Sequence, residues 1–134
     1  MNQMRIQLRQ VSASTSEATL RTHHMLIDRP HEKGGVDLGP MGGELFLASI
    51  GGCFMSNLLA AIDARKAAIS EVYAEVIGTI ADSPARFSAV ELHISAKGRS
   101  DEIERLVEVA DRACIMMNTL RGKLDVRIRT GVTI

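Results

Sequence analysis

The chain has 134 residues, enough for one domain with its own core and too few for two, so a single domain over residues 1–134 is expected. Sixteen basic and sixteen acidic side chains cancel to a formal net charge of zero, which leaves no basic footprint for phosphate and excludes nucleic acid as an expected partner. Hydrophobic residues make up 46% but aromatic ones only 3%, with no Trp, so the core must be aliphatic, and base stacking and aromatic cages for cations are poorly provided for.

Met4 to Val11 alternates apolar and polar residues and predicts a strand, and Ala18 to Ile27 predicts a second. The small polar run Ser12 to Ser16 joins them as a hairpin. Seven of the eleven glycines fall between Gly34 and Gly52, and the first five, with Pro30 and Pro40, mark a long loop rather than an element. Leu45 to Ile62 is then a run of 18 residues without a charge. Its length suits a membrane span, but Ser49, Gly51, Gly52, Ser56 and Asn57 lie inside it and no aromatic belt flanks it. A central helix from Glu44 to Lys66, buried all round, is therefore expected in place of a span. One small sheet covers such a helix on one side only, so a homodimer is expected.

Two further strands, Glu71 to Ile80 and Phe87 to Lys97, are joined by Ala-Asp-Ser-Pro-Ala-Arg, a turn composition, and should pair. In the second, Val90, Leu92, Ile94 and Ala96 alternate with Glu91, His93 and Ser95. From Ser100, read as an N-cap, the residues Ile103, Leu106, Val107, Ala110, Ala113, Cys114 and Met117 make the inward stripe of one amphipathic helix. After the Gly122 turn, Leu124, Val126, Ile128 and Val132 alternate with Asp125, Arg127 and Arg129 as a last strand. The order is ββαββαβ, an α+β fold.

Cys53 sits mid-way along the uncharged helix and Cys114 on the stripe of the amphipathic one. Cysteine is among the most buried residue types and often only fills space. Taken together the two carry more information, because two helices that bury the same sheet can bring Cys53 and Cys114 within reach of a disulfide, as a reactive and a resolving cysteine require. Gly51 and Gly52, just before Cys53, cost helix stability and point to a close approach of another backbone or a ligand, with plain helix packing as the alternative.

The segment Glu44-Leu45-Phe46-Leu47-Ala48-Ser49-Ile50-Gly51-Gly52-Cys53, with Ala113-Cys114 and Thr119-Leu120 further on, resembles the OsmC/Ohr family of osmotically inducible and organic-hydroperoxide-resistance proteins. The similarity covers nearly the whole chain, including Gly39-Pro40 before the helix. It implies an intertwined homodimer with two active sites at the subunit interface. It also implies a thiol-dependent peroxidase that reduces organic hydroperoxides without a cofactor, recycled by a thiol reductant that the sequence does not identify. On this resemblance Cys53 is the peroxidatic cysteine and Cys114 the resolving one. The family's peroxidases hold an activating Arg with a Glu ten residues before the reactive cysteine; here Gly43 stands ten before and Glu44 nine before. Glu44 and Arg29, with Arg21 next, are the candidates for that pair. A cation is needed because a buried thiol ionises above its free pKa of about 8.5 unless something stabilises the thiolate.

Met41, Phe46, Phe54 and Met55 are the apolar residues available to line a pocket for an alkyl hydroperoxide. His23, His24 and His31 lack the spacing, with one another or with the cysteines, that tetrahedral zinc needs, so no metal is expected. The glycine-rich loop Gly34 to Pro40 matches no phosphate-binding pattern and reads as turns, and no serine sits in a nucleophile elbow. The opening Met-Asn-Gln-Met-Arg has no apolar signal stretch, so the cytoplasm is expected, with thiols reduced unless they do redox chemistry. A second reading stays open. Without its first strand the order is that of ferredoxin-like regulatory domains, which bind small ligands as dimers with cysteines that are only structural.

Overall fold

The structure, a computed structural model, describes residues 1–132, and the chain divides into two compact units, Met1–Phe46 and Leu47–Ile134. The first unit is a three-stranded antiparallel sheet, β1 (Gln7–Gln10), β2 (Ser16–Leu20) and β3 (His23–Ile27), followed by a long loop. The segment Ala18 to Ile27 is therefore not one strand but a hairpin, with Leu20 opposite His23. Its two-residue turn, Arg21-Thr22, carries neither Gly nor Asn, and Arg21 takes φ 59° without the residue that usually announces that conformation.

The loop after β3 holds one turn of 3-10 helix, His31–Lys33, and its glycines do turn duty. A Cβ at Gly35 would lie 1.9 Å from the Arg29 carbonyl oxygen, and one at Gly39 would lie 2.0 Å from that of Leu26. Only glycine lets these backbones approach so closely.

Helix α1 (Gly42–Arg65) starts two residues earlier than expected. Its buried residues are Ile50, Gly51, Phe54, Leu58 and Ala61, one stripe at steps of three and four. Burial all round is thus not achieved within the chain: Leu59 on another face is 49% exposed, and only 28% of the most apolar stretch is covered. By length and composition the helix is also apolar enough to cross a membrane.

In the second unit β4 (Ser70–Ala81) and β5 (Arg86–Lys97) form the expected antiparallel hairpin, and β6 (Asp125–Val132) pairs with β5 in parallel. The central strand β5 buries Val90, Leu92, Ile94 and Ala96, the face read from its alternation. Helix α2 (Ser100–Ala113) buries Ile103, Leu106, Val107 and Ala110 and carries the crossover that a parallel pair needs. Ser100 is its first helical residue, not its cap; Arg99 holds the cap position with no side-chain hydrogen bond. The amphipathic stripe is not one helix either. It breaks at Cys114, whose backbone is extended (φ −76°, ψ 117°), and restarts as α3 (Ile115–Leu120).

Candidate active site

The fold places Cys53 on α1 and Cys114 at the α2–α3 break so that their sulfurs lie 3.4 Å apart, with the Cys114 thiol donating to Cys53 Sγ. Both cysteines are free. A disulfide needs about 2.05 Å between sulfurs, so a short movement of the side chains would join them. The break matters here: the extended backbone at Cys114 ends α2, and its carbonyl takes the N–H of Asn118 as α3 begins.

The two thiols differ. Cys53 is half-buried and Cys114 fully buried. Burial pushes the Cys114 thiol up from its ordinary value, and Cys53 beside it adds to this, against a partial offset from the backbone N–H groups of Met117 and Met116. Cys114 is thereby kept as a protonated donor. Beside Cys53, the Asn57 amide nitrogen donates to the Cys53 carbonyl at 2.9 Å and lies 3.8 Å from Cys53 Sγ. Gly51 packs against β4, since a Cβ there would meet Val76 Cγ2 at 2.6 Å, whereas a Cβ at Gly52 would meet nothing within 4 Å among the described residues. Of the two glycines, only Gly51 is explained by packing. Phe54, one of the apolar residues available to line a pocket, is fully buried in the core.

The expected activating pair lies in the first unit. Glu44 is the third residue of α1, and its Oε1 accepts the Met41 N–H at 2.8 Å, while the Met41 carbonyl accepts the Leu45 N–H. Glu44 is thus the acidic half of a capping box, reaching back to the residue that caps its own helix. Among the described residues no ion pair joins it to Arg29. Arg29 opens the loop after β3 and lines a cleft of about 520 Å3 with Lys33, Ser14, Ser16, Met41 and the first glycines of α1. Arg21 occupies the β2–β3 turn.

Beneath Arg29 lies a carboxylate that sequence reasoning missed. Asp28, 3% exposed, accepts the Thr15 hydroxyl at 2.9 Å and the backbone N–H groups of Arg29 at 2.7 Å, Leu38 at 3.2 Å and Val36 at 3.4 Å. Burial alone would raise its pKa. The N–H groups of Arg29 and Leu38 with the Thr15 and Ser14 hydroxyls outweigh that and hold it at about 2.

A family model described as OsmC-like protein matches residues 33–129, which contain α1, both cysteines and most of the second sheet. The chain belongs to the OsmC-like family. No curated protein is a match. Solved structures share the OsmC-like fold along nearly the whole chain. A hypothetical protein from Aquifex aeolicus VF5 has TM-score 0.83 at 15% identity, covering 99% of this chain and 98% of that one. An organic hydroperoxide resistance protein OsmC from Legionella pneumophila has TM-score 0.76 at 24% identity, covering 98% of each chain. An organic hydroperoxide resistance protein from Elizabethkingia anophelis has TM-score 0.77 at 21% identity, covering 99% and 98%. At these identities the likeness is one of OsmC-like fold. Among the described residues, no three His, Cys, Asp or Glu side chains are placed to hold a metal ion.

Proposed function

We propose that this OsmC-like protein is a thiol-dependent peroxidase acting on organic hydroperoxides, with Cys53 as nucleophile and Cys114 as resolving thiol. The observation that carries the reading is the 3.4 Å between two free sulfurs of unequal burial. The half-buried Cys53 is open to a substrate and receives hydrogen bonds, while the buried Cys114 keeps its proton. In the first step the Cys53 thiolate attacks the outer oxygen of the peroxide. The O–O bond breaks, an S–O bond forms, and the alkoxide takes a proton and leaves as the alcohol, with Cys53 as a sulfenic acid. In the second, the Cys114 sulfur attacks that sulfenic sulfur, water leaves, and a disulfide closes. Two equivalents of an external thiol then return both cysteines to the reduced state.

The activating cation is assigned to Arg29, then to Arg21, on family resemblance, with Glu44 as the carboxylate that would hold it. The second copy implied by the family would cover the bare apolar face of α1, and the setting is the cytoplasm. A regulatory or ligand-binding module needs no such meeting of thiols, and the peroxidase reading is preferred for that reason.

Thiol titration before and after one equivalent of cumene hydroperoxide tests this. Two thiols per chain should be lost in the parent, none in Cys53→Ser, and one in Cys114→Ser, which is left with a trappable sulfenic acid. A Cys53→Ser protein that consumes peroxide as fast as the parent would show the roles to be wrong. Arg29→Ala should move the pH profile of Cys53 alkylation upward by about one unit. An unmoved profile passes the assignment to Arg21.

A further inference from the structure

We propose that Asn57 is a catalytic group of this site: its amide N–H donates to the Cys53 sulfur and favours the thiolate. Asn57 follows Cys53 by one turn of α1, the spacing at which a helical side chain folds back over the residue four before it. The Cys53 carbonyl can only accept, so the end of the amide that meets it at 2.9 Å is the nitrogen. The same nitrogen lies 3.8 Å from Cys53 Sγ. It carries two hydrogens, and with one on the carbonyl the other is free for the sulfur. The first bond thus fixes the direction of the second.

Asparagine is a poor helix former, and Asn57 lies inside an uncharged 18-residue run at a place where leucine or alanine would serve the helix better. Both Asn57 and Cys53 are half-buried, where a hydrogen bond to an ion is screened less than at a free surface. A thiolate accepts an N–H far better than a thiol does, so a fixed donor shifts the balance toward the charged form. Two donors, the Asn57 amide and the Cys114 thiol, therefore meet at the one sulfur that must ionise. The amide is supplied by the same helix as the nucleophile and does not depend on which arginine completes the site.

The functional meaning of this assignment rests on the peroxidase reading; its test does not. In a Cys114→Ser background, where Cys53 is the only thiol, the rate of alkylation by iodoacetamide is followed against pH. Asn57→Leu, close in volume but without a donor, should move the profile upward by about one unit, a ten-fold smaller thiolate fraction near neutral pH. Asn57→Asp, isosteric but carrying a negative charge, should move it further. If the leucine variant does not fold, Asn57→Ala removes the same donor with a residue that helices favour. A profile unmoved in these variants, or moved by aspartate alone, overturns the inference, because charge and not the lost donor would be responsible. A shifted profile in a protein that consumes no cumene hydroperoxide would sink the peroxidase reading and leave this one standing. Peroxide consumption with an unmoved profile would do the reverse.

Discussion

Asp28 carries its charge out of contact with water, and hydrogen-bond donors make that tolerable. Its folded pKa of about 2 lies below the ordinary carboxylate value of 3.8. A depressed folded pKa stabilises the protein above the unfolded value, and the stabilisation fades as pH falls toward the folded one. The stability of the parent relative to Asp28→Asn should therefore be greatest above about pH 4 and shrink between pH 4 and 2. Denaturant unfolding of both proteins across that range measures it, and a pH-independent gap would mean that the carboxylate's charge plays no part. The asparagine variant is the right comparison because it keeps the shape and turns an NH2 group toward N–H donors. None of this was legible in the sequence. Asp28 sits in no motif, and its partners Thr15 and Leu38 are 13 and 10 residues away, joined to it only by the fold. Glu44 was legible as a residue that matters through the family pattern, but its hydrogen bond to the Met41 N–H at the start of its own helix was not.

At the scale of elements, patterns of burial were readable and changes of backbone direction were not. The alternation in β5 named its buried face residue by residue, because period two has no competing reading there. The break at Cys114 stayed hidden because α3 restarts in phase: Cys114 and Met117 continue the stripe of α2, and apolar spacing does not register a single extended ψ. The β2–β3 turn was missed for a related reason, since Arg21-Thr22 has the composition of a strand. Gly51 offers the clearest test of how α1 meets its sheet. Alanine is the better helix former by about 1 kcal/mol, yet its methyl would lie 2.6 Å from Val76 Cγ2, and overpacking costs about 1–3 kcal/mol. Gly51→Ala should lower the melting temperature, and trimming the obstacle with Val76→Ala should recover part of the loss. A Gly51→Ala protein more stable than the parent would place α1 further from β4.

The molecule as a whole has more apolar surface on α1 than its own chain buries, with Leu59 half exposed and only 28% of the most apolar stretch fully buried. Composition and the uncharged run made this imbalance legible, and the proposed second copy would resolve it. Leu59→Glu tests it. On a surface that stays open the substitution should change little; on a face buried by another copy it should leave a monomer by sedimentation where the parent is a dimer. A parent that sediments as a monomer at micromolar concentration would remove the dimer. The two sulfurs, 3.4 Å apart in space, are 61 residues apart along the chain. A bond between them would enclose β4, β5 and α2 in one ring. Such a tether restricts the unfolded chain far more than the folded one, by about 4 kcal/mol for a loop of this length. The oxidised protein should then melt on the order of 10 °C above the reduced one, and scanning calorimetry of the two forms would show it. Equal melting temperatures, with the bond verified by mass, would mean that closing it strains the folded state as much as it confines the unfolded one. Otherwise heat resistance becomes a ledger of exposure to oxidant, in which molecules that have spent their thiols outlast those still ready to react until a reductant unlocks them.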